Sequence, residues 1–311
     1  DEERDQWLAK VNELARAHPT RGPGTVVFEG NAPADVRENE LLNTLLATPE
    51  VAGVPRIWLG APNSIKGPTE VVFNRQSGNN LLVAGQREEA ALAMLGVALV
   101  ALATQGVGRL FLIEAATPES PQKKFFEAAA RALPGRLSLA RAGDLDTVMA
   151  ELAAELSRRT ADESTPGKPW VVAVHELQKF KKLKHEEDFS FSSDDSKPPA
   201  PGAVFDRLIR EGPGVGLHVI CTCDSYNSLV RALSRKAISE FELRVLFQMS
   251  ANDSASLCDS PKASDLGLHR ALLHNGQMGS LETFRPYALP GDDWLTEAGQ
   301  NLTGPPGPAL G

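Results

Sequence analysis

Apolar and polar positions along this chain follow two rhythms, and the change from one to the other outlines the architecture. From residue 81 onward, short and mainly apolar runs over 81–84, 109–113, 137–140, 170–174, 217–221 and 244–249 alternate with longer segments. Those longer segments, over 88–104, 121–132, 145–159 and 203–211, carry apolar residues at helical spacing. A strand apolar on both faces needs cover on both faces, so this alternation predicts a mainly parallel sheet with helices on each side. Two further runs, 271–274 and 281–285, flank Gly276 and Gly279 and predict a C-terminal hairpin.

The first part of the chain is patterned differently. Residues 1–18 predict a charged amphipathic helix with Trp7, Leu8, Val11, Leu14 and Ala15 on one stripe. A short strand is expected over 25–28 and a helix over 34–46. Two strands, 56–59 and 70–73, should form a hairpin-like unit around the turn region 62–68. Residues 181–202 pass from lysines into an acidic, serine- and proline-rich stretch that lacks the apolar residues a core needs. They predict a mobile insertion, and the proline- and glycine-rich end predicts a flexible tail over 291–311. The expected organisation is a lead-in over 1–54, an α/β domain over 55–290 and the tail.

Composition narrows the classes. With 42% hydrophobic and 23% charged residues among 311, the chain can bury a large core. No apolar run approaches the ~18 residues of a membrane span, and the start has no secretory pattern. A net charge of −8 disfavours nucleic acid as a general partner, although a local basic patch would escape that argument. Cys221 and Cys223 lie two apart on one strand, a spacing that suits buried free thiols better than a zinc turn. Free thiols and the missing signal together predict a cytoplasmic location. Asn301-Leu302-Thr303 is then a chance match to a glycosylation acceptor. The chain starts without methionine, which suggests a piece of a longer protein.

Candidate chemistry gathers at the ends of the apolar strands, where open α/β sheets bind ligands. Residues 80–92 run from an apolar strand through Gly85, Gln86, Arg87, Glu88 and Glu89 into a helix opening at Ala90, Ala91 and Leu92. This is the frame of the phosphate-cradling G-x-x-x-x-G-K-[ST] loop with its second glycine, lysine and hydroxyl residue replaced. Glu88 and Glu89 satisfy the helix dipole as an anion would. The strand over 170–174 ends in His175-Glu176, where a nucleotide hydrolase keeps an acid for magnesium and a glutamate for the attacking water. Glu176 is the one candidate for a catalytic base. Asp224 stands at the tip of the strand over 217–221, where it would repel a terminal phosphate. His218 inside that strand reads as a core histidine. Arg231, Arg235, Lys236 and Arg244 form a basic group, read either as a solvated face or as arginines that reach a neighbour's site.

These pieces, in this order, resemble the motor domain of the FtsK/SpoIIIE (HerA-like) family, RecA-like hexameric translocases that include type VII secretion ATPases. The resemblance runs over roughly 56–289. Asn79-Asn80-Leu81-Leu82-Val83-Ala84-Gly85 resembles the lead-in to the family's Walker A loop, and Gly216-Leu217-His218-Val219-Ile220 resembles its "GIHLI" strand. The C-terminal signature is the most specific part: residues 244–250, then Asp253-Ser254, Leu257, Asp259, Ala263, Leu266-Gly267 and Arg270-Ala271-Leu272.

The resemblance implies a RecA-like P-loop NTPase fold. It also implies that Ala90, Ala91 and Leu92 replace the Walker A Gly, Lys and Ser/Thr, that His175 replaces the first Walker B acid, and that Asp224 replaces a sensor glutamine. Arg244 retains the family's arginine position. The family hydrolyses ATP, but the loss of lysine, metal hydroxyl and metal-side acid together implies no turnover here and no cofactor. The chain is then expected to be a pseudo-ATPase: a scaffold, regulatory or partner-docking module of a larger translocase. Its partners would be other domains of a longer chain, neighbouring subunits or a peptide. The alternatives are an active DNA- or protein-pumping ATPase, using ATP and magnesium at a subunit-shared site, and a DNA-binding module contacting phosphates through Lys179–Lys184.

Overall fold

The computed structural model describes residues 2–17, 31–162, 167–185 and 199–303. It divides into two compact units, 1–31 and 32–311. In the first, α1 spans Glu2–Ala17, and its Trp7, Leu8, Val11 and Leu14 are solvent-exposed. The strand expected over 25–28 lies outside the described residues, as do most of the 181–202 insertion and the last eight residues.

The second unit is built on one sheet. Its elements in chain order begin with α2 (Glu40–Ala47), β1 (Arg56–Pro62), β2 (Thr69–Val72), β3 (Leu81–Ala84), α3 (Glu88–Thr104), β4 (Arg109–Ile113), α4 (Pro121–Ala132) and β5 (Leu137–Ala140). They continue with α5 (Leu145–Ala161), β6 (Trp170–Val174), α6 (Pro201–Glu211), β7 (Leu217–Cys223), α7 (Tyr226–Ala232) and α8 (Arg235–Ser239). β8 (Leu243–Leu246), α9 (Ala251–Cys258), β9 (Ala271–Asn275), β10 (Ser280–Pro286) and α10 (Asp292–Thr303) complete it. The ten strands lie in the order β2-β1-β10-β9-β8-β3-β7-β6-β4-β5. The run from β8 to β5 is parallel, whereas β2, β1, β10 and β9 pair antiparallel and carry the sheet on from β8. The expected mainly parallel sheet, helices on both faces and C-terminal hairpin are all present.

Alternation along β3 shows how the two cores arise. Leu81 and Val83 face one cluster, with α2, α3, α4 and α10. Leu82 and Ala84 face the other, with α5, α6 and the α7–α9 region. Period-2 side chains on a strand covered from both sides require this. α3 is apolar around its circumference and almost wholly buried, as befits a helix enclosed by sheet and neighbouring helices. Asn80 ties the layers together. Its Nδ2 donates to Ile209 O at 2.9 Å and Glu240 O at 3.0 Å, and its Oδ1 accepts from Val219 N at 2.9 Å.

Three local expectations are corrected. Over 34–46 the chain makes a bridge from Ala34 to Tyr287, a single 3-10 turn over Val36–Glu38, and then α2. Asp35 and Asn39 each accept a backbone N–H two or three residues on, which restarts the helix rather than continuing it. Residues 292–303 are the helix α10, not a flexible tail. Trp294, Leu295 and Ala298 are buried in the core, and Gly299 meets α4 so closely that a Cβ there would lie 2.5 Å from Ala132 O. Within the expected insertion, Lys181–Leu183 forms a 3-10 turn that buries Leu183, and α6 begins at Pro201.

Candidate functional site

The carboxyl ends of β3, β6 and β7 are neighbours in the sheet and open into one pocket of about 280 Å³. Gly85, Gln86, Glu88 and Ala91 line it from the turn into α3, His175 and Glu176 from the end of β6, and Asp224 from the end of β7. Residues far apart in the chain, expected on separate grounds, therefore meet at one place. The position follows from topology, since adjacent parallel strands deliver their following loops to the same edge.

The turn after β3 is shaped by packing. Gly85 has φ +124°, and a Cβ there would lie 2.8 Å from Phe247 Cβ, so both its backbone angle and its close neighbour exclude a side chain. Its N–H donates to Cys223 O at 3.0 Å. Glu88 and Glu89 occupy the first turn of α3, where carboxylates complement the helix dipole. Glu88 accepts a hydrogen bond from Gln122 of α4. Ala91 and Leu92 are buried, and Leu92 belongs to the core rather than the pocket. Arg87 and Glu89 do not line the pocket, and neither does Ala90.

His175 and Glu176 are held from three sides. His175 is 1% exposed, and its ring meets Phe126 edge-on at 5.0 Å between centroids. Its Nδ1 lies 3.1 Å from the Thr222 hydroxyl. Burial lowers its pKa to about 4, so the ring is neutral near pH 7. Its Nε2 is buried and has no hydrogen-bond partner. Glu176 takes a left-handed backbone conformation at φ +57° and donates its N–H to Thr222 Oγ1 at 2.7 Å. Its Oε2 lies 2.6 Å from Lys179 Nζ and 3.6 Å from His175 Nε2. Thr222 thus fixes both residues at once.

Sequence reasoning missed Thr222 and Gln178, both in the pocket lining. A hydroxyl at the end of an otherwise apolar strand was the available signal for Thr222. Gln178 Oε1 is a second buried atom there with no hydrogen-bond partner. Among the described lining residues none is lysine or arginine.

Other candidates fall elsewhere. Arg244 is turned inward and donates to Phe241 O at 2.6 Å, to Ile238 O at 3.2 Å and to Leu257 O. It is a clamp on the ends of α8 and α9, which for Arg244 is neither the solvated face nor the reach into a neighbour's site that the sequence left open. Arg231, Arg235 and Lys236 are exposed on α7 and α8, outside the pocket. His218 is fully buried, with Nδ1 2.9 Å from Asn79 O, as expected of a core histidine. Cys221 and Cys223 are buried free thiols, and burial raises both pKa values, that of Cys223 to about 11. A somewhat larger cleft of about 320 Å³ between α4 and α10 holds no comparable pairing of acid and imidazole.

Strand order, the turn geometry and the strand-end pocket define a RecA-like P-loop ATPase fold. The structure is similar to the conjugation coupling protein TcpA of pCW3, solved as a monomer with ATPγS, with a TM-score of 0.59 and 14% identity over 96% of this chain and 85% of that one. It is also similar to EssC (ATPases 2 and 3) from Geobacillus thermodenitrificans, with a TM-score of 0.60 and 11% identity over 89% of this chain and 52% of that one. For Thermomonospora curvata EccC (ATPases 2 and 3), in complex with a signal sequence peptide, the values are 0.55 and 12% over 93% and 51%. The chain spans about half the length of these two-ATPase pieces. The fold is thus that of FtsK/SpoIIIE-type translocase ATPase domains. No family model matches the chain, and no curated protein matches it in sequence. No described helix is long and apolar enough to cross a membrane.

Proposed function

We propose that this chain is a pseudo-ATPase: a translocase motor fold that serves as a cytoplasmic scaffold, regulatory or partner-docking module of a larger assembly. The observation that carries the reading is the chemistry of the strand-end pocket. A magnesium-bound polyphosphate needs backbone donors, a lysine and a metal-side hydroxyl. This pocket offers Ala91 on its wall, Leu92 withdrawn into the core, and the carboxylates of Glu88, Glu176 and Asp224. The residues present do not fit that ligand. Glu88 stands at the start of α3, where phosphates would lie, and repels them. Missing a charge-assisted contact of the lysine kind weakens ground-state binding by roughly 1.5–3 kcal/mol, before any repulsion.

The fold needs none of those groups, because Gly85 packs on Phe247 and the acids Glu88 and Glu89 in the first turn complement the helix dipole. Two of the similar structures, EssC and EccC, are pieces holding ATPases 2 and 3, which supports a role beside active domains or subunits. Calorimetry of the chain with Mg-ATP and with Mg-ATPγS tests the reading, and no saturable heat is expected. Tight binding, together with ATP hydrolysis abolished by Glu176→Gln, overturns it.

A further inference from the structure

We propose that the strand-end pocket is a binding site for a divalent first-row transition ion of the zinc class, held by His175 Nε2 and the carboxylates of Glu88 and Glu176. One ligand atom from each of these three residues lies within 4.8 Å of the others. Acidic groups alone would say little. The decisive atom is His175 Nε2, buried in a residue that is 1% exposed, without a hydrogen-bond partner, and 3.6 Å from Glu176 Oε2. A buried ring nitrogen normally finds a partner, and this one faces the carboxylates.

The geometry suits such an ion. Two ligands about 2.1 Å from a tetrahedral zinc stand roughly 3.4 Å apart, close to the His175–Glu176 separation. Glu88 is exposed on the first turn of α3 and closes the remainder by side-chain rotation. The Thr222 hydroxyl on Nδ1 and the edge of Phe126 fix the imidazole, as outer partners do in metal sites. Gln178 Oε1, also buried without a partner in this pocket, is placed to accept from a metal-bound water. An imidazole beside two carboxylates favours zinc, copper, nickel or iron over magnesium and calcium, which take oxygen. Lys179 now holds Glu176, and Gln122 holds Glu88. Both are groups an incoming ion displaces.

This inference rests on the preceding reading, since it gives the pocket to a metal rather than to a magnesium nucleotide. The test uses the 311-residue chain stripped with chelator and titrated with ZnCl₂, then with MgCl₂, by calorimetry. Cobalt absorption reports the coordination. The expected result is one zinc per chain, no heat with magnesium, and a cobalt spectrum of a four- or five-coordinate nitrogen–oxygen site. Glu88→Gln, whose side chain is exposed and so leaves folding intact, and His175→Ala should each weaken zinc at least about tenfold. Lys179→Met should strengthen it.

Absent zinc binding, unchanged binding in Glu88→Gln, or a thiolate charge-transfer band that places the ion on a cysteine each overturns the proposal. Repeating the titration with Mg-ATP present separates the two readings. Tight Mg-ATP binding with hydrolysis that Glu176→Gln abolishes, and no zinc binding, defeats both. If neither ligand binds, only the metal site falls.

Discussion

Thr222→Val tests whether one hydroxyl organises the whole pocket. Thr222 is 3% exposed at the end of β7. Its Oγ1 accepts from Glu176 N at 2.7 Å and lies 3.1 Å from His175 Nδ1. Valine keeps the shape and removes both contacts. Each buried polar group left without a partner costs about 1–3 kcal/mol, and the new methyl offsets part of that by burying apolar surface. The expected net loss is about 2–4 kcal/mol. Thr222→Ser keeps the hydroxyl and removes one methyl, at a cost of about 1 kcal/mol. Urea unfolding of the three proteins at neutral pH, followed by tryptophan fluorescence, reads the difference as midpoint shifts at constant slope. Valine should therefore be the worse substitution. The reverse order, with valine tolerated and serine costly, would show that the methyl packing matters and the hydroxyl does not. In the zinc titration, Thr222→Val should lower affinity by about tenfold, because the ring then loses its orientation.

Two further outcomes follow from buried groups. Burial holds the folded pKa of His218 at about 4 against the ordinary 6.5. The unfolded chain takes up this proton as pH falls below 6.5 while the folded chain refuses it until about 4, so the His218 share of stability is full above 6.5 and is lost across that window, about 3 kcal/mol, with His175 adding a second share of the same sign. Urea midpoints measured through the window should show this slope, and His218→Leu should reduce it by one proton; an unchanged slope in the variant would refute the assignment. Arg244→Lys exchanges a planar fork that reaches the carbonyls of Phe241, Leu257 and Ile238 for a single ammonium. A loss of about 1–3 kcal/mol in thermal unfolding is expected, and a neutral result would mean that the clamp is not formed in solution.

Much of the architecture was legible because burial writes itself into composition. Strands β3, β6 and β7 are covered on both sides, so their apolar runs stand out, and the helices between them keep their period. The start of the domain was read less well. Asp35 and Asn39 interrupt the helix with side-chain caps, and a pattern of apolar spacing does not register a cap inside its window. At the other end, Trp294, Leu295 and Ala298 make a helical stripe that the following glycines and prolines disguised as tail. What anchors that helix is the burial of those three side chains, with Gly299 allowing close approach to Ala132, a pairing across many residues that local pattern cannot express.

The sequence by itself determined the class of fold and which side chains stand at positions 90, 91, 92, 175 and 224, because residue identity alone decides which chemistry a position can perform. Tertiary structure decided the rest. It placed Glu88, His175 and Glu176 within reach of one another, since β3 and β6 both flank β7 in the sheet. It turned Arg244 inward onto backbone carbonyls and left His175 Nε2 without a partner. Partnership is a property of distance and direction, and chain order carries neither until the strands are paired.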